Sequence, residues 1–366
     1  MPACMSSRLS VKSMPKTEIP PFVGELAQAV ESCLARIIDA EQSRWVDAHP
    51  DLGVVFDEIR GLALGGGKRI RPAFCLLGAL ASNGSQSSEV VRAGAALELL
   101  HAMALFHDDV IDGSLSRRGR ETTHVRQTRL HRDSSWAGDA SRFGDGVAIL
   151  VGDLAYVLAD QLMEPMNARV RDVWSQMRIE VNIGQYLDVV GSARRDFTAA
   201  TAARIALFKT AKYTVERPLH IGSLIADPST GQPTLDVLSG VGVLLGIAFQ
   251  MRDDVLGVFG EPNVTGKPAG DDLRESKPTA LVAAALSAAT PEQRAVLGRI
   301  GSPDLDVDAI DAMRQVIVDT GALAETEARI RDLVDEAIEG LGALSLRDDV
   351  KTNFVDLAHA VAWRDA

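Results

Sequence analysis

Residues 89–112 read EVVRAGAALELLHAMALFHDDVID, with apolar side chains recurring every three or four positions until the run closes on Asp108, Asp109 and Asp112. That period marks a helix with a buried face. Asp108 and Asp112 are four apart, so both carboxylates stack on one side of it. A second apolar stretch, Leu235 to Phe259, carries Asp253 and Asp254 near its end, 145 positions after Asp108. Carboxylates crowded this closely repel one another unless a cation neutralises them. An all-oxygen donor set suits a hard ion such as Mg2+, which keeps several waters and completes its shell with substrate phosphates. Two such clusters facing one cavity would form a metal-lined rim for a diphosphate.

Working outward, helical spacing continues through Val23–Val46, Val147–Met166, Val170–Val190 and Ala199–Val215. Beyond the second cluster it runs through Thr279–Ala288, Pro291–Ile300, Ala309–Thr320, Leu323–Leu344 and Val350–Trp363. Breaks fall at Gly65-Gly66-Gly67, Asn83-Gly84-Ser85, Asp227-Pro228-Ser229 and between Gly260 and Gly270, as turn-forming residues dictate. No stretch alternates with the period of a strand, and no internal repeat is evident. The expectation is one all-α domain over residues 21–366 behind a flexible tail, residues 1–20, that lacks the apolar core of a signal peptide.

With 366 residues, 46% of them hydrophobic and 24% charged, the chain can bury a large core. A net charge of −12 gives no general basic footprint for nucleic acid. Cys4, Cys33 and Cys75 follow no metal-binding spacing and suit a reducing cytoplasm. The uncharged run Val237–Met251 is shorter than the roughly 20 residues that cross a bilayer, so no transmembrane segment is expected. Gly67-Lys68 is not a P-loop, because Leu62 stands where the first glycine belongs and Arg69 follows the lysine. Gly240, Gly242 and Gly246 miss the dinucleotide spacing. The four-residue step from Gly242 to Gly246 instead suggests a neighbouring helix packed close.

Several cations and polar groups accompany the aspartates. Gly65-Gly66-Gly67-Lys68-Arg69-Ile70-Arg71-Pro72 is a flexible loop entering a helix whose first turn suits Pro72. Helix-start amides with Lys68 and Arg71 make an anion site. His101 lies two turns before Asp108 on about the same side, and Arg117-Arg118-Gly119 follows Asp112. Lys209-Thr210, Gln250, Lys267 and Lys277 add polar groups to apolar surroundings. Each alone has an ordinary reading: a solvated basic turn, a packing histidine, a surface ion-pair patch. Their joint order is what argues for chemistry.

Taken together, Gly-Gly-Gly-Lys68-Arg-Ile-Arg71-Pro, His101, Asp108-Asp-Val-Ile-Asp112, Arg117-Arg118-Gly, Lys209-Thr210 and Phe249-Gln250-Met-Arg-Asp253-Asp254, with Gly-Lys267 and Lys277, resemble the trans-isoprenyl (polyprenyl) diphosphate synthases over residues 60–280. Among these the chain is most similar to bacterial geranylgeranyl diphosphate synthases. The resemblance implies an isoprenoid-synthase-type helical bundle around a deep apolar cavity, commonly a homodimer, that uses Mg2+, about three ions per active site. It assigns metal binding to Asp108, Asp109, Asp112, Asp253 and Asp254. It assigns the isopentenyl diphosphate site to Lys68, Arg71, His101 and Arg118, and the allylic diphosphate site to Arg117, Lys209, Thr210, Gln250, Lys267 and Lys277. Asp108, Asp112, Asp253, Lys209 and Arg117 are then the residues that act as the allylic C–O bond breaks. Leu100, Met103 and Ala104 take the place where the family sets product length, and their size suits geranylgeranyl diphosphate. One position departs: the family's second motif often ends in a third aspartate, and Gly257 stands there.

Three alternatives stay open at this point. A farnesyl or longer-chain synthase differs only in cavity depth. A class I terpene cyclase shares the helical fold, but has no use for a second diphosphate site at Lys68, Arg71 and His101. A non-catalytic subunit normally loses aspartates or the basic site.

Overall fold

The computed structural model describes residues 19–49, 51–260 and 270–364. Residues 1–18 of the expected tail, and Lys267, lie outside them. Four helices open the described chain: α1 (Pro21–Val46), α2 (Leu52–Ala63), α3 (Ile70–Ala81) and α4 (Ser88–Asp112). A short hairpin, β1 (Ser116–Arg117) with β2 (Arg120–Glu121), leads to α5 (Thr123–Asp133), α6 (Ala140–Met163) and α7 (Ala168–Arg194). Then α8 (Ala199–Ile205) widens into a π-helix, Ala206–Glu216, and resumes as α9 (Arg217–Ala226). After α10 (Gln232–Phe259) come α11 (Asp271–Arg274), α12 (Ala280–Ala288), α13 (Pro291–Leu297), α14 (Val307–Asp319), α15 (Ala322–Gly340) and α16 (Asp348–Ala362).

The all-α expectation holds, and periodicity located most of these helices to within a few residues. Four were not drawn from periodicity: α2, α3, α5 and α9. α5 (THVRQTRLHRD) is nearly all polar, so no apolar stripe announces it. Caps fix several of the starts. The Ser87 side chain accepts from the Val90 amide at the head of α4, and Asp139 from the Arg142 amide at the head of α6.

α4 and α10 run through the centre of the main apolar core, which α1, α3, α6, α7, α9 and α15 complete. A second core joins the end of α10 to α12, α14 and their neighbours. Gly242 and Gly246 do admit a close neighbour: a Cβ on either would strike the π-helix, at Glu216 or Ala211. One sequence reading needs revision. Val237–Met251 is only part of a longer apolar helix, and α4, α6 and α10 are each long and apolar enough to cross a membrane by length and composition. Of their most apolar windows, 67%, 44% and 50% respectively are buried inside the molecule.

Candidate active site

The ends of α4 and α10 deliver both acidic clusters to one cavity of about 350 Å3, lined among others by Asp108, Asp112, Asp253 and Asp254. α4 stops directly after Asp112 because Gly113 takes a left-handed conformation, φ 65°. The chain then doubles back through the β1–β2 hairpin, whose central residues Arg118 and Gly119 both have positive φ, 51° and 72°. This reversal sets the Arg117 guanidinium on Asp109, with Nε 2.7 Å and Nη2 2.6 Å from Oδ1. Asp109 is therefore buried off the cavity wall and committed to Arg117. The five-aspartate ligand set expected from sequence loses this member, because helix geometry turns the second of two adjacent residues away from the face shared by 108 and 112.

Cations already balance the first cluster. Lys277 Nζ lies 2.7 Å from Asp112 and 3.3 Å from Asp188, and Lys209 Nζ lies 2.6 Å from Asp188 and 3.3 Å from Asp108. Burial pushes the Asp108 carboxyl up, but Lys209, Lys277 and Arg117 outweigh it and hold it at about 2. Burial and the neighbouring Asp108 charge raise Asp112. Burial would lower both ammonium groups, yet the surrounding carboxylates hold each above its ordinary value, so both stay charged.

Sequence reading missed two members of this network. Asp188 is buried on the cavity wall, and Gln185 donates to Asp108 at 2.7 Å. Both lie in Gly184-Gln185-Tyr186-Leu187-Asp188 on α7, where Gly184 lets the π-helix backbone at Lys209 come close. The available signal was an amide and a carboxylate three apart beside a glycine, in the middle of a helix.

On the opposite wall the two aspartates of the second cluster differ. Asp253 meets the guanidinium of Arg364, which also lies over the Phe249 ring, 3.8 Å from its centroid. Asp254 is buried and accepts from Gln250 Nε2 at 2.7 Å and from the Ala280 amide at 3.2 Å, tying α10 to α12. Burial, opposed by the Gln250 hydrogen bond, pushes its carboxyl up to about 7. Thr210 donates to Gln250 Oε1, so the expected polar pair is present as a brace for Asp254.

The Gly-rich loop forms a separate basic patch. Arg69, left-handed at φ 50°, is not part of it: it is buried against Glu98 at 2.5 Å and Glu31 at 2.9 Å, and so anchors the loop to α4 and α1. Arg71 lies over the Tyr213 ring, 4.4 Å from its centroid, and its buried Nε has no hydrogen-bond partner among the described residues. Arg118 donates to the Gly66 carbonyl at 2.5 Å. Removal from water, then the charges of Arg71, Arg118, Arg117 and Arg69, hold the His101 ring well below its ordinary 6.5. Lys68 sits half-buried at the end of the same loop. A cluster of cations with an unsatisfied buried donor is chemically ready for an anion.

The third group expected from sequence lies apart from both. Leu100 and Met103 are buried in the main core and Ala104 is half-buried, and none of the three lines the cavity described above.

Among the described residues no three His, Cys, Asp or Glu side chains stand close enough to hold an ion unaided. The donors present still fit Mg2+. They are oxygen-only, they are spread over two walls, and cationic side chains already press against them. An ion that takes much of its shell from water and phosphate needs no more.

The sequence profile of the family described as polyprenyl synthetase matches residues 55–317. The chain is 31% identical over 320 residues to the geranylfarnesyl diphosphate synthase of Aeropyrum pernix, covering 84% of this chain and 94% of that protein. It is 30% identical to the octaprenyl diphosphate synthase of Escherichia coli (strain K12), covering 82% and 87%. Among solved structures, the geranylgeranyl pyrophosphate synthase of Corynebacterium glutamicum, complexed with isoprenyl diphosphate and magnesium, superposes with a TM-score of 0.88 at 37% identity, covering 93% of this chain and 99% of that one.

Proposed function

The chain belongs to the polyprenyl synthetase family and is a trans-prenyltransferase, and on that premise we propose that it joins isopentenyl diphosphate to an allylic diphosphate in a Mg2+-dependent reaction whose product is geranylgeranyl diphosphate. The observation that carries this reading is the pairing of two sites. One is a cavity walled by Asp108, Asp112 and Asp253 with Lys209 and Lys277, and the other is a basic patch at Arg71, Arg118 and His101. The first takes the allylic diphosphate and the second takes isopentenyl diphosphate without metal. A cyclase has no use for the second.

Mg2+, held by Asp108, Asp112 and Asp253, supplies positive charge to the departing diphosphate. Lys209, Lys277 and Arg117 stabilise the same developing charge from fixed positions, which is where electrostatic catalysis gains most. Gln250, braced by Thr210, presents its amide to the cavity beside the allylic segment. The magnesium-bound state of the C. glutamicum protein supports the metal assignment. That protein's geranylgeranyl product, and the lack of a large aromatic at Met103 or Ala104, support the chain length.

A homodimer belongs to the same proposal. α6 and α7 expose Leu150 (66%), Val157 (51%), Ile179 (56%) and Tyr186 (68%), an apolar surface suited to a second copy. Unpaired, buried Cys33 and Cys75 accord with a reducing cytoplasm.

The test is incubation with labelled isopentenyl diphosphate, each allylic primer in turn and Mg2+, followed by sizing of the product. Label in a geranylgeranyl chain supports the proposal. Label in a farnesyl or longer chain overturns the product but not the reaction, and allylic diphosphate consumed without label uptake overturns both.

A further inference from the structure

Gly257 lies four residues after Asp253 on α10, on the same helical face, and both line the cavity. A side chain at 257 would point where the family often places its third aspartate. That space is filled. All three carboxyl atoms of Asp272, on α11, lie within 2.8 Å of the point where a Cβ on Gly257 would stand. The position is built in from the backbone as well: the Lys277 amide donates to the Asp272 carbonyl at 3.0 Å, so the turn that brings Lys277 to Asp112 also fixes Asp272. Asp272 lines the same cavity as Asp253.

The structure assigns to Asp272 the place of the missing third carboxylate: a residue after the helix supplies the charge that the helix itself no longer carries. The inference rests on the Mg2+ reading proposed above. Glycine at 257 is then a requirement rather than a loss, because any side chain there would displace Asp272. The two positions are coupled, and a carboxylate is needed at one or the other.

Mn2+ binding to the full chain, followed by electron paramagnetic resonance in the presence of inorganic diphosphate, tests this without turnover. Asp272→Asn keeps the shape and removes the charge, and should weaken Mn2+ binding about tenfold or more, the range for losing a carboxylate that supports a metal. Gly257→Asp combined with Asp272→Ala should recover most of that loss, whereas a purely structural role for Asp272 would not be rescued from 257. Asp335→Asn, an exposed position on α15, controls for net charge. Wild-type affinity in Asp272→Asn, with Asp253→Asn impaired, overturns the inference and leaves the Mg2+ reading intact. Weak binding in Asp272→Asn without recovery in the double variant overturns the stand-in role. Unchanged binding in Asp253→Asn as well overturns the Mg2+ reading itself. Thermal melts establish that each variant is folded, and Asp272→Asn alone decides if the double variant is not.

Discussion

Arg364, beyond the last helix, reaches back across the molecule to pair with Asp253, a wall residue of the cavity that α10 brings in from 111 positions earlier. A guanidinium therefore sits where the proposed function needs a divalent cation, held there also by the Phe249 ring.

Competition between the two cations follows. Arg364→Ala should lower the Mg2+ concentration for half-maximal activity by about threefold, in line with the modest value of a partly exposed ion pair. Activity measured against Mg2+ at saturating substrates checks it. A rise in the Mg2+ requirement would show instead that Arg364 orients Asp253 for the metal.

Adjacent aspartates should behave differently although the sequence writes them as a pair. Asp108→Ala or Asp253→Ala should cut turnover by about 10²-fold or more, the scale for losing one stabiliser of developing charge. Asp109→Asn touches the cavity only through Arg117, and should act on the allylic substrate's KM more than on kcat. Equal losses of kcat in Asp108→Ala and Asp109→Asn would contradict the placement.

What the sequence could reveal follows from which contacts are local. Asp108 and Asp112 share a face by helical spacing alone, and the apolar run around them made α4 legible. The turning of Asp109 onto Arg117 depends on Gly113 and the hairpin, a reversal that no periodicity encodes. Asp188 and Gln185 meet Lys209 and Asp108 only through the packing of α7 against the π-helix and α4, so they read as ordinary polar residues. Arg364 was beyond reach, because nothing local says where a chain end docks. Gly257 was visible as a departure, but the Asp272 carboxylate that fills its space is a long-range fact.

Separation of the two diphosphate sites predicts opposite kinetic defects. Arg71→Ala removes a cation from the patch with the unsatisfied donor, and should raise the KM for isopentenyl diphosphate by about 1.5–3 kcal/mol of binding, as for a charge-assisted contact. Arg117→Ala should chiefly raise that for the allylic substrate. Steady-state kinetics with each substrate varied in turn distinguishes them. The same substrate affected in both variants would merge the sites.

His101 makes a pH prediction for the substrate-free protein. Its ring is held below the ordinary 6.5 by removal from water and by Arg71, Arg118, Arg117 and Arg69. The unfolded chain therefore takes up this proton at higher pH than the folded one. Its stabilising contribution is complete above 6.5 and is lost as pH falls through the lower folded-state value. Between about pH 7.5 and about 5.5, Tm should fall more steeply for wild type than for His101→Gln. Parallel curves would mean that the folded ring titrates normally.

Product length should respond to α4 above the aspartates. Leu100 and Met103 are buried in the main core and Ala104 is half-buried beside them. The described cavity stops short of all three, so a lengthening chain must press toward them by displacing side chains. Met103 is the one best able to move, being unbranched and flexible. Met103→Phe should stop the chain early and shift product toward farnesyl diphosphate. Met103→Ala, alone or with Leu100→Ala, should open the way to longer chains. The cost to stability sets a limit on the double change: each truncation of a buried side chain costs about 2–5 kcal/mol, against about 1–3 for overpacking. Product sizing therefore needs a melting curve beside it. Folded, active variants with unchanged products would place the end of the cavity on another helix.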